Sequence, residues 1–163
     1  ITAPASVRSV GEAVMAADRL LETAKAQADA QVSERNAREK AELMRQLGMD
    51  EGESATKASR TMIRQLEEDQ KRRSKRALTD AIDRALIDLL AIYRDVLMVQ
   101  VGGDGELINT DLSDLVHEIA QDSTPRQTLA RVDHIETARK RLVSNGNPLL
   151  VLEDMAISLR PQA

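Results

Sequence analysis

Cysteine is absent from the 163 residues, as are tryptophan and phenylalanine, and Tyr93 is the only aromatic side chain. Without cysteine there is no disulfide, no thiolate nucleophile and no Cys-ligated zinc or iron–sulfur cluster. Without aromatics a strand-rich fold is disfavoured, because pleated faces are usually covered by aromatic and β-branched residues. No apolar run approaches the roughly 20 residues of a membrane-spanning helix. The opening ITAPASVRSV has neither the basic start nor the apolar stretch of a signal peptide, and it begins without Met. The expectation is a soluble, cytoplasmic piece of a longer chain, with no membrane partner. A net charge of −4 also argues against a domain that is basic overall, as nucleic-acid binders tend to be.

What is present favours helix. Ala, Leu, Arg, Glu and Gln dominate, the residues that lose least on becoming helical. Ser9 and Glu12 have the spacing of a capping box, so a helix should start near Val10. Its stripe runs Val14, Ala17, Leu20, Leu21 and Ala24, then thins to Ala28, Val32, Ala37, Ala41 and Met44, and Gly48 closes it. Residues 48–53 read as a polar turn, and a second long helix should begin near Ser54. That helix carries Ala58, Met62, Ile63 and Leu66, then EEDQKRRSKR over residues 67–76 without one apolar side chain. A packed helix needs an apolar contact on almost every turn, so this stretch must be solvated or face a polar partner. From Ala77 the pattern returns with Leu78, Ile82, Ala85, Leu86, Leu89, Leu90, Tyr93, Val96, Leu97 and Val101. Gly102, Gly103 and Gly105 break it.

A short helix is expected over 112–121, with Leu112, Leu115, Val116 and Ile119 on one face. Thr124-Pro125-Arg126-Gln127 is a second capping box with Pro at the first helical position. Its helix should bury Leu129, Val132, Ile135 and Leu142. Asn145-Gly146 ends it, and Asn147-Pro148 opens the last helix, whose Leu149, Leu150, Leu152, Met155, Ala156 and Leu159 should complete the core before Pro161 closes it. The organisation expected is a linker over 1–9, a helical hairpin arm over 10–76 projecting from a bundle over 77–160, and a tail over 161–163. The fold class is all-α.

Catalytic chemistry is hard to place on this chain. No GxxxxGK[ST] loop is present, and Gly102–Gly105 follows a helix where a phosphate loop follows a strand. His117 and His134 lie on different helices, off the apolar stripes, and read as surface residues. Ser113, Ser123 and Ser144 sit at caps and loop ends, where Ser satisfies backbone amides. Asp104, Asp111 and Asp114 lack the register of a calcium loop and suit a helix start. Tyr93 reads as core, with a hydrogen-bonded hydroxyl. No cofactor or metal is expected.

The run Lys71, Arg72, Arg73, Lys75 and Arg76 is the one feature suited to a polyanion. Glu67, Glu68 and Asp69 precede it at the favoured i,i+4 spacing, so an ion-paired solvated face is the first reading. Nucleic-acid contact is the second, without base stacking, since no aromatics interleave.

Several stretches resemble a known family. They are Arg84-Ala85-Leu86-Ile87-Asp88-Leu89-Leu90, Tyr93-Arg94-Asp95-Val96-Leu97, a loop with Asn109, Thr124-Pro125, Arg141-Leu142, and Asn145-Gly146-Asn147-Pro148-Leu149-Leu150-Val151-Leu152-Glu153. In this order they are similar to the collar region of bacterial DNA polymerase III clamp-loader subunits of the delta prime type, as found in actinobacteria. RSVGEAVMAADRLLETA upstream also looks like the approach to that collar. Residues 25–66 carry no motif of the family.

The resemblance implies a collar-like, non-catalytic helical bundle that oligomerises with gamma/tau- and delta-type subunits and meets DNA only through the assembled complex. The family's N-terminal modules and their Ser-Arg-Cys motif are absent, so assembly alone is carried over. The expected core and interface residues are Leu86, Leu89, Leu90, Tyr93, Val96, Leu97, Leu149, Leu152 and Met155.

Overall fold

The computed structural model describes residues 9–48, 56–103 and 105–160. Among these the chain forms five α-helices: α1 (Val10–Gln46), α2 (Lys57–Gln100), α3 (Ser113–Gln121), α4 (Pro125–Val143) and α5 (Pro148–Ser158). A 3-10 turn, Thr110–Leu112, leads into α3. No strand occurs among the described residues, and the fold is all-α. None of these helices is long and apolar enough to cross a membrane. Residues 1–8 of the expected 1–9 linker, the start at Ser54, Asp104 and the 161–163 tail lie outside the described residues.

The helix ends form for reasons visible in their side chains. The Ser9 hydroxyl accepts from the Glu12 amide at 3.1 Å, and the Ser9 amide donates to the Glu12 carboxylate at 3.0 Å. The Thr124 hydroxyl and Gln127 repeat the exchange at α4, with Pro125 in the first turn. Thr56 accepts from the Ser59 amide and opens α2. The Asn147 carboxamide accepts from the Leu149 and Leu150 amides. Gly48 and Gly102 take the left-handed conformation at the ends of α1 and α2. After α4 that conformation falls on Asn145 instead. Gly146 is needed for another reason: a Cβ there would stand 2.8 Å from the Arg141 carbonyl oxygen and 2.9 Å from Val151.

The described residues divide into two compact units, one holding those up to Thr23 together with those from Ile82 onward, the other those between Ala24 and Ala81. The sequence pattern alone groups residues 10–23 with the hairpin.

In the first unit the buried positions are Ala13, Ala16, Ala17 and Leu21 of α1, and Ile82, Leu86, Leu89, Ile92, Tyr93 and Val96 of α2. Val116 and Ile119 come from α3, Ile135, Ala138 and Leu142 from α4, and Val151, Leu152, Met155, Ala156 and Leu159 from α5. Expectations fail here at Leu129 and at Leu150, which is 63 % exposed on α5 instead of completing the core. Leu129 is 53 % exposed, and α4 instead buries Thr128, Arg131, Ile135, Ala138 and Leu142. The Thr128 hydroxyl bonds back to the Thr124 carbonyl at 3.2 Å, so it is carried inward already satisfied.

Asp95 is a carboxylate with no exposed surface in this unit. It accepts from the Ile108 amide at 3.1 Å, the Asn109 amide at 2.8 Å, the Asn109 side chain at 2.9 Å and Arg94 at 2.7 Å. One acidic side chain of α2 therefore fixes the loop that enters the 3-10 turn. Removal from water pushes its carboxyl upward, but these donors outweigh that and hold it below the usual carboxylate range.

A depressed pKa contributes stability above the unfolded value, near 4, and that contribution is lost as pH falls through the folded value. Asp95→Asn should cost about 1–3 kcal/mol at neutral pH by urea unfolding. The gap to the parent should narrow as pH drops below about 4. A gap independent of pH would contradict this account.

Candidate interaction surfaces

The second unit is built on contacts that run in opposite directions along α1 and α2. Ala28 and Val32 cluster with Ala77 and Leu78. Next, the Gln70 side chain donates to the Asn36 carbonyl at 2.8 Å. The Lys40 ammonium then meets Glu67 at 3.1 Å. As numbers rise in α1 they fall in α2, so the two segments pair antiparallel.

This pairing explains how α2 passes through 67–76 without apolar residues. Arg73 forks onto Glu39, at 2.8 and 3.1 Å, and reaches the Asn36 side-chain oxygen at 2.7 Å. Bonds from Arg73 and Arg35 lower the Glu39 carboxyl to about 2. The inward row of α1 thus continues from Val32 through the half-buried Asn36, Glu39 and Leu43. Ala37 and Ala41, expected on that row, are exposed. A search for apolar spacing alone overlooks a stripe that turns polar midway.

The basic run is accordingly split. Arg73 is withdrawn into the hairpin, and Arg72 pairs with Asp69 on its own helix. Lys71, Arg72, Lys75 and Arg76 are exposed, and at 100° per residue they fall within one side of the helix.

The expected apolar residues also separate. Leu86, Leu89, Tyr93, Val96, Leu152 and Met155 lie in the interior of the first unit. Leu90, Leu97 and Leu149 are half-buried. Large apolar side chains left outside include Val10 and Met15 on α1, Ile87 on α2, Val101 and Ile108 after it, Leu129 and Val143 on α4, and Leu150, 63 % exposed, on α5. Burial raises the Tyr93 hydroxyl to about 12, against the opposing charge of Arg131. The hydrogen bond expected for that hydroxyl is not among those made by the described residues.

Polar ties brace the same elements. Arg139 of α4 forks onto Asp83 of α2 at 2.7 and 3.2 Å and also meets Glu136 at 3.0 Å. The Gln100 amide donates to the Ser123 carbonyl at 2.7 Å and the Ala120 carbonyl at 3.3 Å. His117 and His134 are exposed and apart in sequence. Among the described residues no group of acidic and histidine side chains is arranged to hold a metal.

Core and surface roles are separable by mutation. Leu89→Ala should destabilise the isolated chain by about 2–5 kcal/mol. Leu150→Ser should shift stability by no more than about 0.5 kcal/mol. Chemical denaturation measures both, and equal effects would contradict the burial described.

The comparisons with known proteins concern the same region. A family described as DNA polymerase III, delta subunit, C terminal, matches residues 53–160. A curated relative, the DNA polymerase III subunit delta' of Bacillus subtilis (strain 168), is 36% identical over 72 residues. That stretch covers 44% of this chain and 22% of the relative, so the match spans about a fifth of the relative's length. No solved structure matches. With about two thirds of its residues inside the family match, the chain belongs to the family of C-terminal domains of DNA polymerase III delta subunits.

Proposed function

We propose that this is a non-catalytic collar domain of a clamp-loader subunit of the delta prime type. It would oligomerise with gamma/tau- and delta-type subunits in the complex that loads the sliding clamp, and meet DNA only through that complex. The observation carrying this reading is the family match, which takes in all of α2, α3, α4 and α5. The distribution of apolar side chains supports it. The interior row of α2 is filled, while Ile87, Leu129 and Leu150 remain at the surface beside half-buried Leu90, Leu97 and Leu149. Apolar residues of this kind form the centres of protein interfaces, and a stable seam buries more than about 1,000 Å².

Co-expression with the C-terminal domains of gamma/tau- and delta-type subunits tests the reading. A monodisperse complex of three or more chains is expected by light scattering after gel filtration. Ile87→Asp with Leu150→Asp should weaken that complex by about tenfold or more, with the isolated chain still folded. No association at micromolar concentrations would overturn the proposal.

A second reading, contact with nucleic acid, is favoured by the shared exposure of Lys71, Arg72, Lys75 and Arg76. Each phosphate neutralised contributes about −0.9 to the slope of log affinity against log salt on duplex DNA. Four contacts predict a slope near −3.6, reduced to near zero when all four residues are replaced by Glu. Binding insensitive to salt would exclude this surface.

A further inference from the structure

Arg131 is a charged side chain in an interior position. Only 7 % of it is exposed, and among the described residues no hydrogen bond or ion pair reaches its guanidinium. Its Cζ stands 6.0 Å from the centroid of the Tyr93 ring, the outer limit of a cation–π contact. Its stem is enclosed, while its nitrogens keep a solvent-reachable edge, since the Gln100 side-chain oxygen is the only buried side-chain polar atom without a partner among the described residues. Other arginines of this unit are provided for differently: Arg94, Arg139 and Arg141 each meet a carboxylate.

The side chain opens onto a pocket of about 270 Å³, lined also by Gln127, Ala130, His134, Ser158 and Arg160. Among the described residues no carboxylate lines it. Arg160 donates its Nε hydrogen to the Ile157 carbonyl at 3.0 Å, which leaves its terminal nitrogens for the pocket. The Ser158 hydroxyl donates to the Asp154 carbonyl at 2.9 Å and so supplies no further donor. Two guanidiniums and an imidazole then face one small space.

We propose that this pocket binds a single compact oxyanion, a phosphate or carboxylate group, clamped by Arg131 and Arg160. The guanidinium fork matches two oxygens of such a group, and charge-assisted bonds of this kind are the strong ones. At about 30 Å³ per water the space equals roughly nine waters. That suits one oxyanion with part of its hydration and lies below the usual range for larger organic ligands. The described lining residues all belong to one chain, so the proposal does not rest on the collar reading.

The test titrates the intact chain with sodium phosphate and, separately, with sodium acetate, at constant ionic strength. The His134 ring resonances and the Tyr93 fluorescence are followed. A saturable response to phosphate, acetate or both is expected, and the anion that saturates names the class. Arg131→Met should weaken that response about tenfold or more. If Arg131→Met does not fold, Arg160→Gln decides, and it should weaken binding in the same direction. A response that never saturates, or one unchanged in Arg160→Gln, would mean an adventitious ion only and would overturn the proposal.

Discussion

Burial of one row of α2 is the constraint on which the first unit depends. Ile82, Leu86, Leu89, Tyr93 and Val96 recur at spacings of four, three, four and three, and each is almost fully enclosed. A seven-residue repeat of this kind keeps one seam of a helix turned toward its neighbours. The other helices supply complementary shapes. α1 offers Ala13, Ala16 and Ala17, small enough for backbones to approach closely, and α5 offers Leu152 and Met155. Because interiors are packed to crystal density, this row leaves little room for exchange of size. Polar anchors such as Asp83–Arg139 and Asp95 with its loop then select one arrangement among those that apolar burial alone would allow.

The second unit depends on a different interaction. Its apolar cluster is small, limited to Ala28, Val32 and Ala77 with Leu78 packed against them. Beyond it the two helices are joined by hydrogen bonds and charge, with Arg73 at the centre, until Leu43 meets the same space as Met62 and Leu66. Exposed ion pairs contribute little each, so such a hairpin draws its order from many weak contacts. Local opening should accordingly be easier there than along the enclosed row of α2.

Much of this was legible in the chain. The all-α class followed from composition, and the capping boxes at Ser9 and Thr124 located two helix starts within a residue. The interior row of α2 could be read from its spacing. Less legible were the positions where a polar residue occupies an interior row. The buried stripe of α4 runs Thr128, Arg131, Ile135, Ala138 and Leu142, an alternation of three and four that a search restricted to apolar types misreads as Leu129 and Val132. Asn36 and Glu39 escape such a search for the same reason. Asp95 could not be recognised as buried, because its partners, the amides of Ile108 and Asn109, are defined only once the loop is folded. The signal available was periodicity kept regardless of polarity.

Tyr93, which lends the interior row its largest side chain, has one more consequence. With no tryptophan and no second tyrosine in the chain, near-ultraviolet absorption and intrinsic emission arise from that single enclosed ring, beside the Arg131 cation. Near-ultraviolet and emission spectra of the purified polypeptide therefore report on one point of its interior, while the backbone of the helices is seen only in the far ultraviolet.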